Sequence, residues 1–224
     1  MDLAILEYSA IGFLLRWIHL LAGVTWIGLL YYFNFCQVPY FKEADGGAKS
    51  DATQKLVPRA LWWFRWGAMI TFLSGALMLW FYDDRLGYSI WVGAVLGTLM
   101  FLNVWVIIWP NQKTVIENAK QTAQGGEGVP GAADALAKAG LASKTNTLFS
   151  IPMLFFMAAS VHLAGIAGPI SAVSLLSLIL VFGLIALLEI NAIVGKPGPM
   201  ASVSGLVTSG FVLTLVLYLL MELA

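Results

Sequence analysis

The residues best equipped for chemistry are two imidazoles, His19 in IGFLLRWIHLLAGVTWIGLLYYF and His162 in IPMLFFMAASVHLAGIAG, both inside apolar runs long enough to cross a bilayer. They are the only histidines in the chain. An ionisable side chain in a membrane segment is costly to keep, so its presence points to a task. At a rise of about 1.5 Å per residue, His19 lies about 12 Å from an outer entry near Ile11, and His162 about 9 Å from an exit near Gly168. Imidazoles from two helices at one depth meet the requirement for holding a shared metal, or the iron of haem b from opposite sides. Gly23 follows His19 by one turn, and Ala158, Ala159 and Gly165 flank His162, which leaves room for a flat macrocycle. Arg16 suits a haem propionate and equally suits the outer interface by snorkelling. Met78, near the outer end of the second helix, is an alternative axial ligand. The same histidines could instead hydrogen-bond across helices, hold a different metal or relay protons.

A second polar group gathers at the opposite ends of the helices. It comprises Asn34 and Gln37, then Asn111, Gln112 and Lys113 after Pro110, then Lys144-Thr145-Asn146-Thr147, and finally Glu189 and Asn191. Amides, hydroxyls, lysines and one carboxylate are the lining expected of a pocket for a small polar or anionic molecule. Capping competes with this: Thr145 and Asn146 precede an apolar run, and Pro110-Asn111 reads as a helix stop. Glu189 lies about 10 Å from the inner surface by its spacing to Lys196. It needs Lys113, Lys144 or a proton.

The elements that must position these side chains follow from composition. With 60% hydrophobic and 11% charged residues and a mean hydropathy of +0.85, the chain cannot be a soluble globule. Apolar runs of about 20 residues mean helices rather than a barrel. The expected fold is an all-α integral membrane bundle occupying residues 1–224 as one domain, with six transmembrane helices at about 10–35, 60–82, 88–110, 146–167, 170–194 and 199–222. The acidic start MDLAILE lacks a signal-peptide n-region, so the first helix is expected to stay in the mature protein. A net charge of zero gives no basis for a nucleic-acid partner, and the single Cys36 excludes a CxxCH haem attachment within these residues.

Lys and Arg accumulate in the segments about 40–59 and 111–144, which are therefore the cytoplasmic loops. Arg85 and Arg16 fall on the other side, so both termini are expected to face the periplasm or cell exterior. Residues 51–66, with bases beside a Trp-rich run, suit an interfacial entry, and the Gly-rich 121–133 suits a flexible loop. Gly93 with Gly97, and Gly205 with Ser209, are small-residue stripes for close helix packing.

Three blocks, RWIHLLAGVTWIGLLYYFNF (16–35), IIWPNQK (107–113) and KTNTLFSIPMLFFM (144–157), resemble the membrane domain of the bacterial cytochrome-c-linked urate oxidases. Arg16, Trp17, His19, Gly23, Trp26, Pro110, Asn111, Gln112, Asn146, Pro152 and His162 carry the likeness. The resemblance implies a helical membrane domain, urate oxidation and electron delivery to a c-type cytochrome domain on the periplasmic side. No CxxCH follows Met221-Glu222-Leu223-Ala224, so the cytochrome is expected as a separate protein. The expected function is a haem-b electron-transfer subunit with His19 and His162 as ligands, Arg16 and Gly23 beside the macrocycle, and a weaker substrate group of Asn111, Gln112, Lys113, Asn146 and Glu189. The alternative is a non-catalytic accessory subunit that docks onto a larger membrane oxidase or respiratory complex. A transport path lined by Asn103 and Glu189 is a third reading, weakened by the absence of inverted repeats.

Overall fold

The computed structural model describes residues 8–82, 86–163, 166 and 168–223. The N-terminal MDLAILE, Arg85, Gly165 and Ala224 lie outside the described residues. The protein is all-helical: α1 (Tyr8–Tyr31), α2 (Val38–Glu43), α3 (Gly46–Phe81), α4 (Tyr88–Leu102), α5 (Trp109–Ala123), α6 (Ala132–His162), α7 (Leu175–Val194) and α8 (Val203–Leu223). Among the described residues the only β pairing is an isolated bridge between Gly87 and Pro169.

Among the described residues, five continuous helical stretches are long and apolar enough to cross a membrane: Ala10–Glu43, Gly46–Phe81, Tyr88–Ala123, Leu175–Val194 and Val203–Leu223. α6, on which the expected fourth span rests, is not among them, because Thr145, Asn146, Thr147, Ser150 and Ser160 dilute its apolar half. The first four of these are fully buried. The helix therefore turns these polar groups toward other helices. The segments expected as loops are largely helical. α3 starts at Gly46, where Asp45 accepts from the Ala48 N–H at 2.8 Å, and it runs straight through 51–66. Only Gln124–Gly131 breaks the 111–144 segment. There Gly125, Gly128 and Gly131 all adopt positive φ, which a side chain would oppose.

α6 is the hub, packed against α1, α4, α5, α7 and α8. α1 lies along α3, and they approach closely at Gly67: a Cβ there would stand 3.2 Å from the Trp26 backbone N and 3.3 Å from the Ala22 carbonyl. Gly93 and Gly97 of α4 face Met153 and Met157 of α6, as the small-residue stripe anticipates. The α8 contact differs: Gly210, not the Gly205–Ser209 pair, meets Ile151 of α6. Aromatic pairs close the remaining seams, with Phe72 stacked on Phe101 at 4.2 Å between α3 and α4 and Phe155 edge-on to Tyr218 between α6 and α8.

Two helices carry a π segment: Tyr32–Gln37 joins α1 to α2, and Asn103–Ile108 joins α4 to α5. Each leads into a helix with proline in its first turn, Pro39 or Pro110. Proline has no N–H and its ring collides with the carbonyl four residues back. Admitting an extra residue per turn removes that collision, so the helix continues where Pro110-Asn111 was expected to stop it.

The Gly67 contact is between backbones, which cannot give way as a side chain can. Gly67→Val should push α1 from α3 and cost about 1–3 kcal/mol, read as an earlier thermal unfolding midpoint in detergent.

Candidate functional site

The two π segments deliver their first or third residue, Asn103 and Asn34, onto α6. Asn103 is 1% exposed and Asn146 is fully buried. The Asn103 amide donates to Asn146 Oδ1 at 3.0 Å and to Glu189 Oε2 at 3.1 Å, and Asn146 Nδ2 donates to the Met100 carbonyl at 2.9 Å. One amide thus ties α4, α6 and α7 together and gives the half-buried Glu189 its hydrogen bond. On the other side of α6, Asn34 donates to the Leu30 carbonyl and to Ser143 Oγ (3.0 and 2.8 Å), and the Tyr31 hydroxyl meets Ser150 Oγ at 2.9 Å. The 143–150 stretch of α6 is consequently the polar centre of the bundle.

This arrangement sorts the expected inner group. Asn146 and Glu189 do come together, but through Asn103, which had been weighed only as part of a transport path. Its position in an apolar run, NVWVIIWP, gave that signal. Asn111, Gln112 and Lys113 do not join them: Asn111 Nδ2 returns to the Ile107 carbonyl of its own helix, Gln112 makes no hydrogen bond among the described residues, and Lys113 sits over the Trp109 ring. The capping expectation for Thr145 and Asn146 is corrected, because α6 begins at Ala132 and both lie in mid-helix. Thr145 Oγ1 is buried without a hydrogen-bond partner, a potential contact for a bound polar group. Lys144, half-buried just outside the apolar half of α6, has its pKa lowered by burial first and by the nearby Lys42 second.

At the other end of α1, His19 docks on α3. Its Nδ1 lies 2.9 Å from the Thr71 carbonyl and 3.1 Å from Ser74 Oγ. A carbonyl can only accept, so Nδ1 carries the proton and Nε2 of the neutral ring is left as an acceptor. Gly75 makes the seat, since a Cβ there would come within 3.1 Å of His19 Cε1. Gly23 faces Thr71 across the same seam. Met78 lies about one turn beyond Ser74 and Gly75 on α3, on the face that receives the imidazole. Arg16 stacks over the Tyr82 ring at 4.6 Å. His162 closes α6 with its side chain exposed, and no hydrogen bond joins it to His19. Among the described residues no three His, Cys, Asp or Glu side chains are placed to share a metal ion.

A family model described as urate oxidase N-terminal matches residues 80–219, more than half of the chain. The chain belongs to the urate oxidase N-terminal family. The matched segment contains the blocks at 107–113 and 144–157, the Asn103–Asn146–Glu189 network and His162, while the block at 16–35 with His19 precedes it. No curated protein and no solved structure matches the chain.

Asn103→Ala would leave Asn146 Oδ1 and Glu189 Oε2 without their donor. A loss of about 1–3 kcal/mol is expected from such unpaired buried groups. Adding Glu189→Leu to Asn103→Ala should recover part of it, measurable by a thermal double-mutant cycle.

Proposed function

We propose that this is a urate-oxidase-like protein of the bacterial inner membrane that holds haem b and passes electrons to a separate c-type cytochrome in the periplasm. The observation that carries the reading is the Nδ1–H bond from His19 to the Thr71 carbonyl. Iron-ligating histidines commonly anchor one ring nitrogen in this way, which fixes the tautomer and ring direction and presents the other nitrogen to the metal. His19 Nε2 would hold the haem, with His162 or Met78 as a second residue holding it and Arg16 available to a propionate. Bound haem would supply one-electron chemistry. The protein's own contribution would be to orient the imidazole through Thr71 and Ser74 and to exclude water from it by the packing of α1 on α3.

Urate or a similar small polar molecule is the proposed reductant, on the strength of the family match. Its contacts would come from the α6 polar centre, where Thr145 Oγ1 is buried without a partner and Asn103 and Asn146 position the Glu189 carboxylate. Asn111, Gln112 and Lys113 would serve only at the approach to it. A second reading, an accessory subunit of a larger membrane oxidase or respiratory complex, draws on the same seam: a His19 bond that already satisfies Nδ1 is also a sufficient interhelical tie.

The purified protein should show a Soret band, with an α band appearing on dithionite reduction, and both should vanish in His19→Ala while persisting in Lys196→Gln. A colourless wild-type protein that nevertheless unfolds cooperatively would reject haem and favour the accessory subunit. Given a coloured protein, urate should reduce an added c-type cytochrome, and Asn146→Leu should slow that reduction without removing the Soret band.

A further inference from the structure

At the basic end of the bundle, Arg65 of α3 crosses to the α4–α5 junction and places its guanidinium 3.9 Å from the centre of the Trp109 ring and 5.9 Å from that of Trp105. Lys113 sits over the same Trp109 indole at 5.7 Å. Two cations sharing one ring repel each other, and neither is in an ion pair: the only one among the described residues is Lys55 with Asp51. Two more donors point the same way. Arg65 Nε and Trp105 Nε1 are both buried without a hydrogen-bond partner. A site with surplus positive charge, unused N–H groups and no ion pair calls for an anion.

The surroundings say what kind. Trp105 meets Trp66 edge-on at 5.5 Å, and Trp66 is also a wall of an apolar groove of about 260 Å³ between α1 and α3, lined by Leu21, Thr25, Trp62, Gly67 and Ile70 among others. The groove exists because Gly67 brings the two backbones together beneath it and contributes no side chain. Its Trp62, Trp63 and Trp66 are exposed, as expected of indoles at the headgroup level of a bilayer. A cationic patch at that level, continuous through Trp66 with an apolar slot running toward the membrane interior, matches an amphiphile with an anionic head and a hydrocarbon tail. A planar aromatic anion fits poorly, because the indole face it would stack on is already taken by cations.

We infer that Arg65, Lys113 and Trp105 bind the phosphate of an anionic phospholipid whose acyl chain lies in the α1–α3 groove. Lys113 apart, which also stands at the proposed approach to the substrate, the site is separate from the proposed haem and substrate residues, and basic pockets between transmembrane helices are a recurrent way of holding such headgroups.

Native mass spectrometry of the full chain released from nanodiscs of phosphatidylcholine with phosphatidylglycerol tests this. Wild type should retain phosphatidylglycerol in preference to phosphatidylcholine, with each removed charge lowering that preference about fivefold. Lys113→Gln alone, at an exposed position, and Arg65→Gln with Lys113→Gln give the series. Thr25→Phe, which fills the groove without touching the cations, should also reduce retention. Absence of any preference in wild type, or a preference unchanged in Lys113→Gln and the double variant, overturns the inference. So does inorganic phosphate that abolishes the preference while phosphatidylcholine still occupies the groove, since that would mark a site for the free anion.

Discussion

A membrane helix must find partners for its polar groups inside the protein, because hydrocarbon offers none. α6 puts this constraint at the centre of the bundle. Between Ser143 and Ser150 it presents hydroxyls and an amide on more than one face, and neighbouring helices have to answer them. α1 answers with Tyr31 and Asn34, and α4 with Asn103 and the Met100 carbonyl. Apolar burial gives little net reason for helices to associate in lipid, so these bonds and the glycine contacts fix which helix lies against which. α7 depends on the arrangement most directly: among its polar ties inward are Asn103 to Glu189 and the Tyr88–Ser177 hydroxyl pair.

The π segments are the local device that makes the answer possible. An α-helix passing through Asn34 toward Pro39, or through Asn103 toward Pro110, would have a steric conflict to resolve somewhere. Placing the wide turn between the asparagine and the proline resolves it. The wide turn also changes the angular phase of everything beyond, which is how α5 continues from α4 yet presents Trp109 to Arg65 rather than to α6. Such segments are frequent at functional sites. Here both occur on helices that bracket the same stretch of α6.

Much of the architecture was legible from the chain itself, and the reasons for the exceptions are physical. Apolar runs located the helices, and the Gly93–Gly97 stripe marked a face for close helix packing, because both depend on residue types that mean the same thing in any context. Helix ends were misplaced at Pro110 and at Thr145-Asn146. Those residues have strong local preferences, for stopping and for capping, that lose to a π turn in one case and to burial among partners in the other. Glu189 is legible as a polar residue that needs a partner, and Asn146 as a member of the same inner group. That Asn103 would serve both could not be read from sequence, since it requires knowing that α4, α6 and α7 converge. Lys113, by contrast, was assigned to that group through proximity in the chain, and a turn of helix carries it to Trp109 instead.

The two histidines show why residue type and depth do not by themselves define a site. They look equivalent along the sequence, yet their surroundings differ in what each ring nitrogen can do. His19 is held at one nitrogen by a backbone carbonyl that no substitution at Thr71 removes, and glycine at position 75 gives the ring its place. Its direction is therefore set by main chain, the least changeable part of the fold. His162 occupies the last residue of α6, exposed and without such an anchor. The ligand strength of a fixed imidazole depends on the bond at its other nitrogen, so the haem proposed here would be governed by α1 and α3. The segment that shows the family, residues 80–219, would then be left to supply the polar contacts around α6.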